Sequence, residues 1–300
     1  MYAVYGVVPP GLVDVPVGAT QFSPLIPGSD ALERAADASL TGVTMLAPPG
    51  VIERRYAIAH ALRALIPGTP FTFFAPNKRG GARLHDELSA FGCVSNEASR
   101  HHHRLCTGVR PGSLHDLEHA IALGAPRLVE PIGLWSQPGV FSWDRIDPGS
   151  ALLIEHLPQL SGRGADLGCG IGILARAALL QGSVQHMTLI DIDRRAIDAA
   201  RRNLDPVRST VVWGDAASSK ELPREVDFVI MNPPFHDGGT EDQNMGRAFI
   251  AKSASLLRKS GVCLLTANRH LPYEAAMKPL FATMTQVVQA NGFKIYVAQK

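Results

Sequence analysis

The segment Asp166-Leu-Gly-Cys-Gly-Ile-Gly172 decides the fold of this 300-residue chain. A short apolar run leads into it and a helical pattern follows at 172–182, which predicts a strand, a glycine loop and a helix. Such a loop lets the backbone approach a ligand closely at the amino end of a helix. The dinucleotide pattern G-x-G-x-x-G would need glycine where Ile173 stands. Asp166 would also repel a pyrophosphate, and it suits the cationic end of an amino acid.

Strands and helices alternate regularly from this loop to the end of the chain. Further strands are predicted at 187–193, 209–215, 226–232 and 261–267, and helices at 194–204 and 242–258. This alternation is typical of βαβ units and a parallel sheet. At the end, Asn291-Gly292 joins two short strand-like runs, and Asn-Gly favours the tight turn of a β-hairpin. We therefore expect a five-stranded parallel sheet that finishes with an antiparallel pair, an unusual ending for a nicotinamide-binding domain.

The first half of the chain has a weaker α/β pattern. Strands are predicted at 43–48 and 70–76, and helices at 51–65 and 81–91. Two domains agree with a length of twice the ~150 residues usual for one domain. We predict a smaller α/β domain over residues 1–130 and the domain with the glycine loop over residues 131–300.

Two further acids follow the glycine loop at the ends of predicted strands. Asp191, with Ile192 beside it, ends the second strand, where an acid accepts hydrogen bonds from ribose hydroxyls. Asp215 ends the third strand and suits an exocyclic amine such as that of adenine, while the Ala216 N–H suits the ring. Ligands of open α/β sheets bind at the carboxyl ends of strands, where all these acids are expected. The predicted ligand has an amino-acid end, a ribose and an adenine, which describes S-adenosylmethionine. Taken singly, each of these aspartates could instead be an ordinary turn or cap residue.

The fourth predicted strand runs into Asn232-Pro233-Pro234-Phe235. The two prolines form a rigid turn that has no backbone donors. The Asn232 side-chain oxygen and the Pro233 carbonyl are then two acceptors for one amine, and Phe235 can stack on a base. Methyl transfer to such an amine depends mainly on positioning. His236 is a candidate proton shuttle, although a histidine in a loop is more often simply solvated.

These motifs together resemble the class I S-adenosylmethionine-dependent methyltransferases. More narrowly, the segments at 139–153, 232–238, 267–274 and 293–299 are similar to the ribosomal RNA guanine-N2 methyltransferases, with small-subunit rRNA favoured over large-subunit rRNA. The resemblance implies a seven-stranded, Rossmann-like methyltransferase sheet with a terminal antiparallel hairpin, preceded by a degenerate copy of that domain.

The resemblance also implies roles for individual residues. It places Asp166, Gly168, Cys169 and Gly170 at the methionine end of the cofactor, Asp191 and Ile192 at the ribose, and Asp215 and Ala216 at the adenine. It places Asn232 to Phe235 at the target guanine and the segment with Phe141, Asp147 and Ser150 near the cofactor.

Positive charge for RNA is expected in local patches, because the formal net charge is only +2. Lys78, Arg79 and Arg83 lie in a loop that contains glycines, and Arg100 and Arg104 flank three histidines. We expect the first of these groups to contact RNA phosphates, with ribosomal RNA or a ribosomal subunit as the partner. Each group could equally be a solvated surface.

Composition and the spacing of the cysteines exclude several other classes of protein. Charged residues make up 19%, which excludes a highly charged disordered chain. The four cysteines form no CxxC pair, so we expect no metal site and no disulfide. No signal peptide or membrane span is recognisable, so we expect a cytoplasmic protein of open oligomeric state.

Three alternatives to rRNA methylation stay open at this stage. The acceptor could be adenine N6 in DNA or the amide of a protein glutamine, with the same chemistry. The chain could also be an inactive RNA-binding factor in ribosome assembly, although its intact cofactor motifs argue against loss of activity.

Overall fold

The computed structural model describes residues 1–234, 236–237, 240–241 and 243–300. The chain forms two compact units. The N-terminal unit comprises Met1–Pro126 with Gln137–Gly139, and the C-terminal unit comprises Arg127–Ser136 with Val140–Lys300. Within the described ranges, no helix has the length and apolar character needed to cross a membrane.

The N-terminal unit contains six strands and three α-helices. These are β1 (Tyr2–Tyr5), β2 (Thr20–Gln21), β3 (Gly42–Leu46), α1 (Val51–Ala64), β4 (Pro70–Pro76), α2 (Leu84–Ala90), β5 (Ser95–Arg100), β6 (His103–Val109) and α3 (Leu117–Gly124). They form one sheet in the order β2-β1-β3-β4-β6-β5. The first four strands of this order are parallel, and β6 and β5 form an antiparallel hairpin at one edge.

The C-terminal unit contains the predicted methyltransferase-like sheet. Its elements are β7 (Arg127–Val129), β8 (Leu134–Ser136), α4 (Pro148–Glu155), β9 (Gly162–Leu167), α5 (Ile173–Leu179), β10 (Val184–Asp191), α6 (Arg194–Asn203), β11 (Ser209–Trp213), β12 (Val226–Met231), β13 (His236–Asp237), β14 (Thr240–Glu241), α7 (Gln243–Leu256), β15 (Leu257–Asn268), α8 (Tyr273–Met277), β16 (Thr283–Ala290) and β17 (Phe293–Gln299). The seven-stranded sheet has the order β11-β10-β9-β12-β15-β17-β16. Its first five strands are parallel and the last two antiparallel, so the predicted fold class is confirmed.

Alternation along the central strands buries side chains on both faces of the sheet. In β12, Val229 and Met231 join the apolar cluster that contains Phe249 of α7, whereas Phe228 and Ile230 join the cluster on the other face. A strand covered on both faces reads as a continuous apolar run, which is why VDFVIM was recognisable as a central strand.

The terminal hairpin has the turn that its sequence predicts. Asn291 and Gly292 both have positive φ, 52° and 84°, as a type I′ turn requires. Several strand boundaries differ from the prediction: the strand expected at 187–193 is Val184–Asp191, the strand expected at 261–267 is Leu257–Asn268, and the strand expected at 209–215 ends at Trp213. The Asp215 side chain accepts a hydrogen bond from Ala217 N at 3.0 Å, and this local turn competes with continuation of the strand.

The N-terminal sheet has the same strand arrangement as the seven-stranded sheet of the C-terminal unit, except that it lacks a strand equivalent to β11. Without β11, the order of the seven-stranded sheet is β10-β9-β12-β15-β17-β16. These six strands have the same sequence order and the same directions as β2-β1-β3-β4-β6-β5 of the N-terminal sheet. A Pro-Pro pair follows both β3 and β12, as Ala47-Pro48-Pro49 and Asn232-Pro233-Pro234. When these pairs are aligned, Met45 corresponds to Ile230, and their partners in the neighbouring strands are Tyr5 and Asp166.

A buried ion pair stabilises the N-terminal unit. Arg54 is fully buried in α1 and donates to both carboxylate oxygens of Glu87 in α2, at 2.7 and 2.6 Å. Removal of one partner would leave a buried charge without compensation.

Arg54→Ala is accordingly expected to lower the free energy of unfolding by about 3–5 kcal/mol, measured by urea denaturation. The exposed Arg34 provides the control, and Arg34→Ala should change stability by less than about 0.5 kcal/mol. Equal stability of the two variants would contradict the prediction.

Candidate active site

The glycine loop joins β9 to α5 at the carboxyl end of the central strand. Gly168, Gly170 and Gly172 have φ values of 69°, 52° and 86°, the left-handed region that glycine adopts without steric cost. The N–H groups of Gly168 and Cys169 donate to the Ile190 carbonyl at 2.9 and 3.0 Å, which fixes the loop against β10. A Cβ added at Gly170 would meet nothing within 4 Å, so this part of the loop borders open space.

Asp166 lies at the base of the loop and is fully buried. Its Oδ2 accepts from Ala175 N in the first turn of α5 at 3.1 Å, and its Oδ1 is buried without a hydrogen-bond partner among the described residues. Burial raises the pKa of this carboxyl to about 8, with a smaller contribution from the nearby charge of Asp191. A buried acid with one vacant oxygen is poised to accept a cationic donor.

Asp191 ends β10, as the sequence predicts, and its carboxylate is held by backbone donors. Oδ2 accepts from Gly170 N at 2.8 Å and Oδ1 from Asp193 N at 2.9 Å. Burial raises its pKa to about 6, although the backbone hydrogen bonds oppose that rise. Each oxygen keeps acceptor capacity beyond these bonds, so a fixed Asp191 can still receive a hydroxyl.

The residues predicted at the ribose and the adenine flank this edge of the sheet. Ile192 is 45% exposed, and its carbonyl accepts from Trp213 Nε1 at 2.8 Å. Asp215 accepts from the Ser218 hydroxyl at 2.6 Å, and Ala216 is buried. These two segments follow β10 and β11, which are neighbours in the sheet. Their roles toward a cofactor stay predictions.

Asn232 follows β12 and has an amide whose orientation is fixed. Its Nδ2 donates to Asp147 Oδ2 and to Ser150 Oγ, both at 2.9 Å. A carboxylate can only accept, so the amide nitrogen must face Asp147 and the oxygen must face away. That oxygen, Oδ1, is buried and has no partner in the described part of the chain. The site therefore presents a preoriented acceptor where an amine of a substrate can bind.

The partners of Asn232 belong to the start of α4. Asp147 caps this helix, accepting from Ser150 N at 2.9 Å, and Pro148 stands at the first helical position. The sequence analysis placed Asp147 and Ser150 near the cofactor and did not connect them to Asn232. The Asp-Pro-x-Ser pattern signals a helix start, but no local signal connects it to a residue more than 80 positions away.

We expect Asp147→Ala to lower kcat by about tenfold, because the Asn232 amide would lose the carboxylate that orients it. Asp147→Asn should keep most of the activity, since an amide oxygen can still accept from Asn232 and from Ser150 N. Loss of the cap should also reduce the free energy of unfolding by about 1 kcal/mol, and only in the alanine variant. Equal kcat values for the two variants would exclude a positioning role.

Other predicted site residues lie elsewhere or outside the described residues. Phe235 lies outside them, and for His236 only the backbone is described. Phe141 is 68% exposed in the segment before α4. Lys78, Arg79 and Arg83 lie in the N-terminal unit, after β4.

Further observations concern Arg104, the four cysteines and possible metal ligands. Arg104 is paired with Glu97 at 2.6 Å, so its charge is partly neutralised. The four cysteines are free and buried. Among the described residues, no cluster of three or more His, Cys, Asp or Glu side chains could hold a metal ion.

Comparison with known proteins places this site in a family. The family model for the methyltransferase small domain matches residues 131–297. The chain belongs to the methyltransferase small domain family. The match covers the glycine loop, the strand-end acids and the Asn-Pro-Pro turn.

Curated relatives extend the similarity into the first half of the chain. Ribosomal RNA small subunit methyltransferase C of Stutzerimonas stutzeri is 32% identical over 257 residues, which cover 80% of this chain and 74% of that protein. The protein of the same name from Pseudomonas entomophila is 33% identical over 250 residues, covering 81% and 74%. A solved structure, the T. thermophilus 16S rRNA N2 methyltransferase in complex with AdoMet and guanosine, has a TM-score of 0.74 and 24% identity. The match covers 90% of this chain and 75% of that one, and it supports the fold.

Proposed function

We propose that this methyltransferase transfers a methyl group from S-adenosylmethionine to the exocyclic N2 amine of a guanine in small-subunit ribosomal RNA. The observation that carries the proposal is the Oδ1 of Asn232, which has no hydrogen-bond partner among the described residues and faces away from Asp147 and Ser150. The names of the relatives support this choice of acceptor over the large-subunit RNA.

The residues of the C-terminal unit fit the proposed cofactor. The orphaned, buried Oδ1 of Asp166 suits the ammonium group of the methionine end, and the open space before Gly170 leaves room for it. Asp191 would hold the ribose and Asp215 with Ala216 the adenine. When bound, S-adenosylmethionine supplies an electrophilic methyl group on a sulfonium ion.

Asn232 would orient the acceptor amine. Its Oδ1 would accept one N–H of the amine, and the Pro233 carbonyl would accept the other. An exocyclic amine of a base is weakly nucleophilic because its lone pair is delocalised into the ring. Two acceptors in fixed positions would turn that lone pair toward the methyl group, which is catalysis by positioning. A methylated, charged amine is acidic and can lose its proton without a strong base.

The proposed partners are ribosomal RNA or the small ribosomal subunit, and the proposed location is the cytoplasm. Four free, buried thiols fit a reducing compartment. We propose that the N-terminal unit docks RNA, with Lys78, Arg79 and Arg83 on phosphates. The target guanine would have to be unpaired or extruded to reach the Asn-Pro-Pro turn.

The test uses methyl-labelled S-adenosylmethionine and acceptors from cells that lack this gene: small subunits, large subunits, DNA and a protein extract. Label recovered as N2-methylguanosine from small-subunit RNA alone would support the proposal. Label in large-subunit RNA, DNA adenine or protein glutamine would contradict the acceptor and keep the methyltransferase chemistry.

A binding measurement with unlabelled cofactor completes this test. Cofactor binding with no transfer to any of the acceptors would contradict the proposed substrate. Failure to bind the cofactor at all would favour an inactive assembly factor.

A further inference from the structure

Residues 267–274 form one of the segments that resemble the guanine-N2 methyltransferases, and none of them has a role in the site described above. They cover the end of β15, the turn after it and the start of α8. In that turn, Arg269 and His270 have exposed side chains, whereas the next residue, Leu271, is buried. The buried leucine anchors the turn and leaves the arginine and the histidine on its outer side.

This turn lies at the edge of the sheet that carries the candidate active site. β15 is the neighbour of β12, and Met231 pairs with Leu265, so Asn232 stands level with Thr266. Three residues of a strand rise about 10 Å, which takes Arg269 past the level of Asn232 and out of the sheet. A nucleotide whose amine points inward to Asn232 must extend outward from the same edge. We therefore expect its phosphates at the level of this turn.

The charge of the side chains changes sign along this edge. In the order of the strands β11, β10, β9, β12 and β15, the residues at or next to the carboxyl ends are Asp215, Asp191, Asp166, Asn232 and Arg269. The acids suit a cationic cofactor, and an ionised carboxylate repels a phosphate. A phosphate of the substrate is therefore favoured on the other side of Asn232, where the strand end is followed by an arginine.

Hydrogen bonds hold the backbone of the turn in place. Leu271 N donates to the Asn268 carbonyl at 3.0 Å. Arg269 N donates at 2.9 Å to the carbonyl of Gly292, in the turn of the terminal hairpin. The side chain of Arg269 thus starts from a backbone position that two elements of the sheet define.

The guanidinium of Arg269 is oriented by its neighbour. Its Nε donates to Nε2 of His270 at 3.1 Å. Arginine can only donate, so this histidine nitrogen accepts and the ring proton is on Nδ1. The Nη1 and Nη2 groups of Arg269 make no hydrogen bond or ion pair within the part of the chain that the structure describes. By contrast, Lys294 on the adjacent strand is paired with Glu274 at 2.8 Å. Two free N–H groups in one plane match two oxygens of a phosphate.

We propose that Arg269, oriented by His270, binds a phosphate of the target nucleotide while Asn232 holds the amine of its base. The proposal rests on the proposed function and deepens it, because it assigns a second contact with the same substrate. A phosphate contact carries no information about the base, but it fixes the position of the nucleotide. Arg269 therefore makes the site bind a nucleotide more tightly than a nucleoside.

The first experiment measures this preference directly. The full chain is titrated with guanosine and with guanosine 3′,5′-bisphosphate in a calorimeter, without a methyl donor. We expect the wild type to bind the bisphosphate about tenfold more tightly, because a hydrogen bond to a charged group is strong. Arg269→Ala should abolish the preference and leave the affinity for guanosine within about twofold of wild type. Arg269→Lys keeps the charge and loses the planar pair of donors, so it should retain only about a threefold preference.

Arg224 provides the matched control. It is also an exposed arginine, but it precedes β12 and therefore lies at the opposite edge of the sheet. Arg224→Ala should keep the tenfold preference. The proposal is overturned if the wild type shows no preference for the bisphosphate or if Arg269→Ala retains it. It is also overturned if Arg269→Ala binds guanosine itself as poorly as it binds the bisphosphate, since the arginine would then contact the base.

The second experiment uses small-subunit ribosomal RNA and the dependence of its Kd on salt. Each phosphate contact contributes about 0.7–0.9 to the slope of log Kd against log salt concentration, because it releases a condensed counterion. Arg269→Ala should lower that slope by about this amount and raise the Kd at low salt by about tenfold. Arg224→Ala should change neither quantity. Equal slopes for wild type and Arg269→Ala would refute a phosphate contact.

The outcomes separate this proposal from the proposed function. If Arg269→Ala loses the preference for the bisphosphate but no ribosomal RNA is methylated, the proposed function fails and the phosphate contact stands. If ribosomal RNA is methylated and Arg269→Ala keeps the preference, the phosphate contact fails and the proposed function stands.

Discussion

Asn232→Ala is expected to reduce methyl transfer by about 10²–10³-fold while cofactor affinity stays within about twofold of wild type. The substitution removes the side-chain oxygen that is proposed to hold the acceptor amine, and it removes the amide donor to Asp147 and Ser150. The loss should appear in kcat, because the lone pair of the amine would no longer be aligned with the methyl group. Single-turnover transfer of labelled methyl groups measures this step directly.

Asn232→Asp tests whether activity depends on the amide of Asn232 or only on the volume of its side chain. Aspartate has nearly the same volume, but it brings a second carboxylate to within hydrogen-bonding distance of Asp147 and donates nothing to it. We expect this variant to be as inactive as Asn232→Ala at neutral pH. Exposed Asn96 in β5 is the control, and Asn96→Ala should keep wild-type kcat. Retention of more than about a tenth of wild-type kcat in both Asn232 variants would contradict the assigned role.

Asp166→Asn is expected to change stability and binding in opposite directions. Burial in the folded chain raises the pKa of Asp166 from its ordinary value of 3.8 to about 8. The folded state therefore binds a proton more tightly than the unfolded state, and stability declines as pH rises from about 4 to about 8. Asparagine is neutral throughout and can still accept from Ala175 N. Asp166→Asn should therefore raise the free energy of unfolding at pH 7 by about 4 kcal/mol, at about 1.4 kcal/mol for each pH unit above 3.8, with little difference near pH 4.

Binding of S-adenosylmethionine should weaken in the same variant, by about 10–100-fold, since a charged acceptor is replaced by a neutral group. In the wild type, the cationic ligand would favour ionised Asp166, so binding at pH 7 should release a proton. Calorimetry in buffers with different ionisation enthalpies measures that release, which Asp166→Asn should abolish. Asp227, whose pKa is lowered by hydrogen bonds from Arg163 and Arg258, is a suitable control carboxylate. A destabilised Asp166→Asn chain with unchanged proton release would refute this account.

These opposite effects have one physical origin. A carboxyl group that is buried with a vacant oxygen costs stability in the free protein, and a ligand of opposite charge recovers that cost on binding. Functional sites commonly trade stability for binding in this way.

Much of the candidate site could be predicted before the fold was known. The glycine loop, Asp191 and the Asn-Pro-Pro turn each follow a recognisable apolar strand. Parallel strands point their carboxyl ends to one edge of the sheet, so residues distant in sequence had to share that edge. Asn291-Gly292 specified its turn because only a few residues tolerate positive φ at both positions.

Other features depend on packing that local patterns do not encode. The Asp147 and Ser150 side chains orient the Asn232 amide from more than 80 positions away in the sequence. The similarity of the two sheets is not evident from residue identity. The strand order shows it, and the Pro-Pro pair after β3 and after β12 aligns Ala47 with Asn232 and Tyr5 with Asp166.

By itself, then, the sequence determined the order of strands and helices in the second half of the chain, the antiparallel ending and which residue types stand at the strand ends. These depend on local periodicity, turn chemistry and the direction of parallel strands. Only the tertiary structure decided how the Asn232 amide is oriented, why Asp166 holds its proton and which strand end lies beside that of Asn232. Each depends on contacts between distant segments: Asp147 and Ser150 on Asn232, apolar packing around Asp166, and the pairing of β12 with β15. Hydrogen-bond direction and burial arise from such long-range packing, which a local pattern cannot specify.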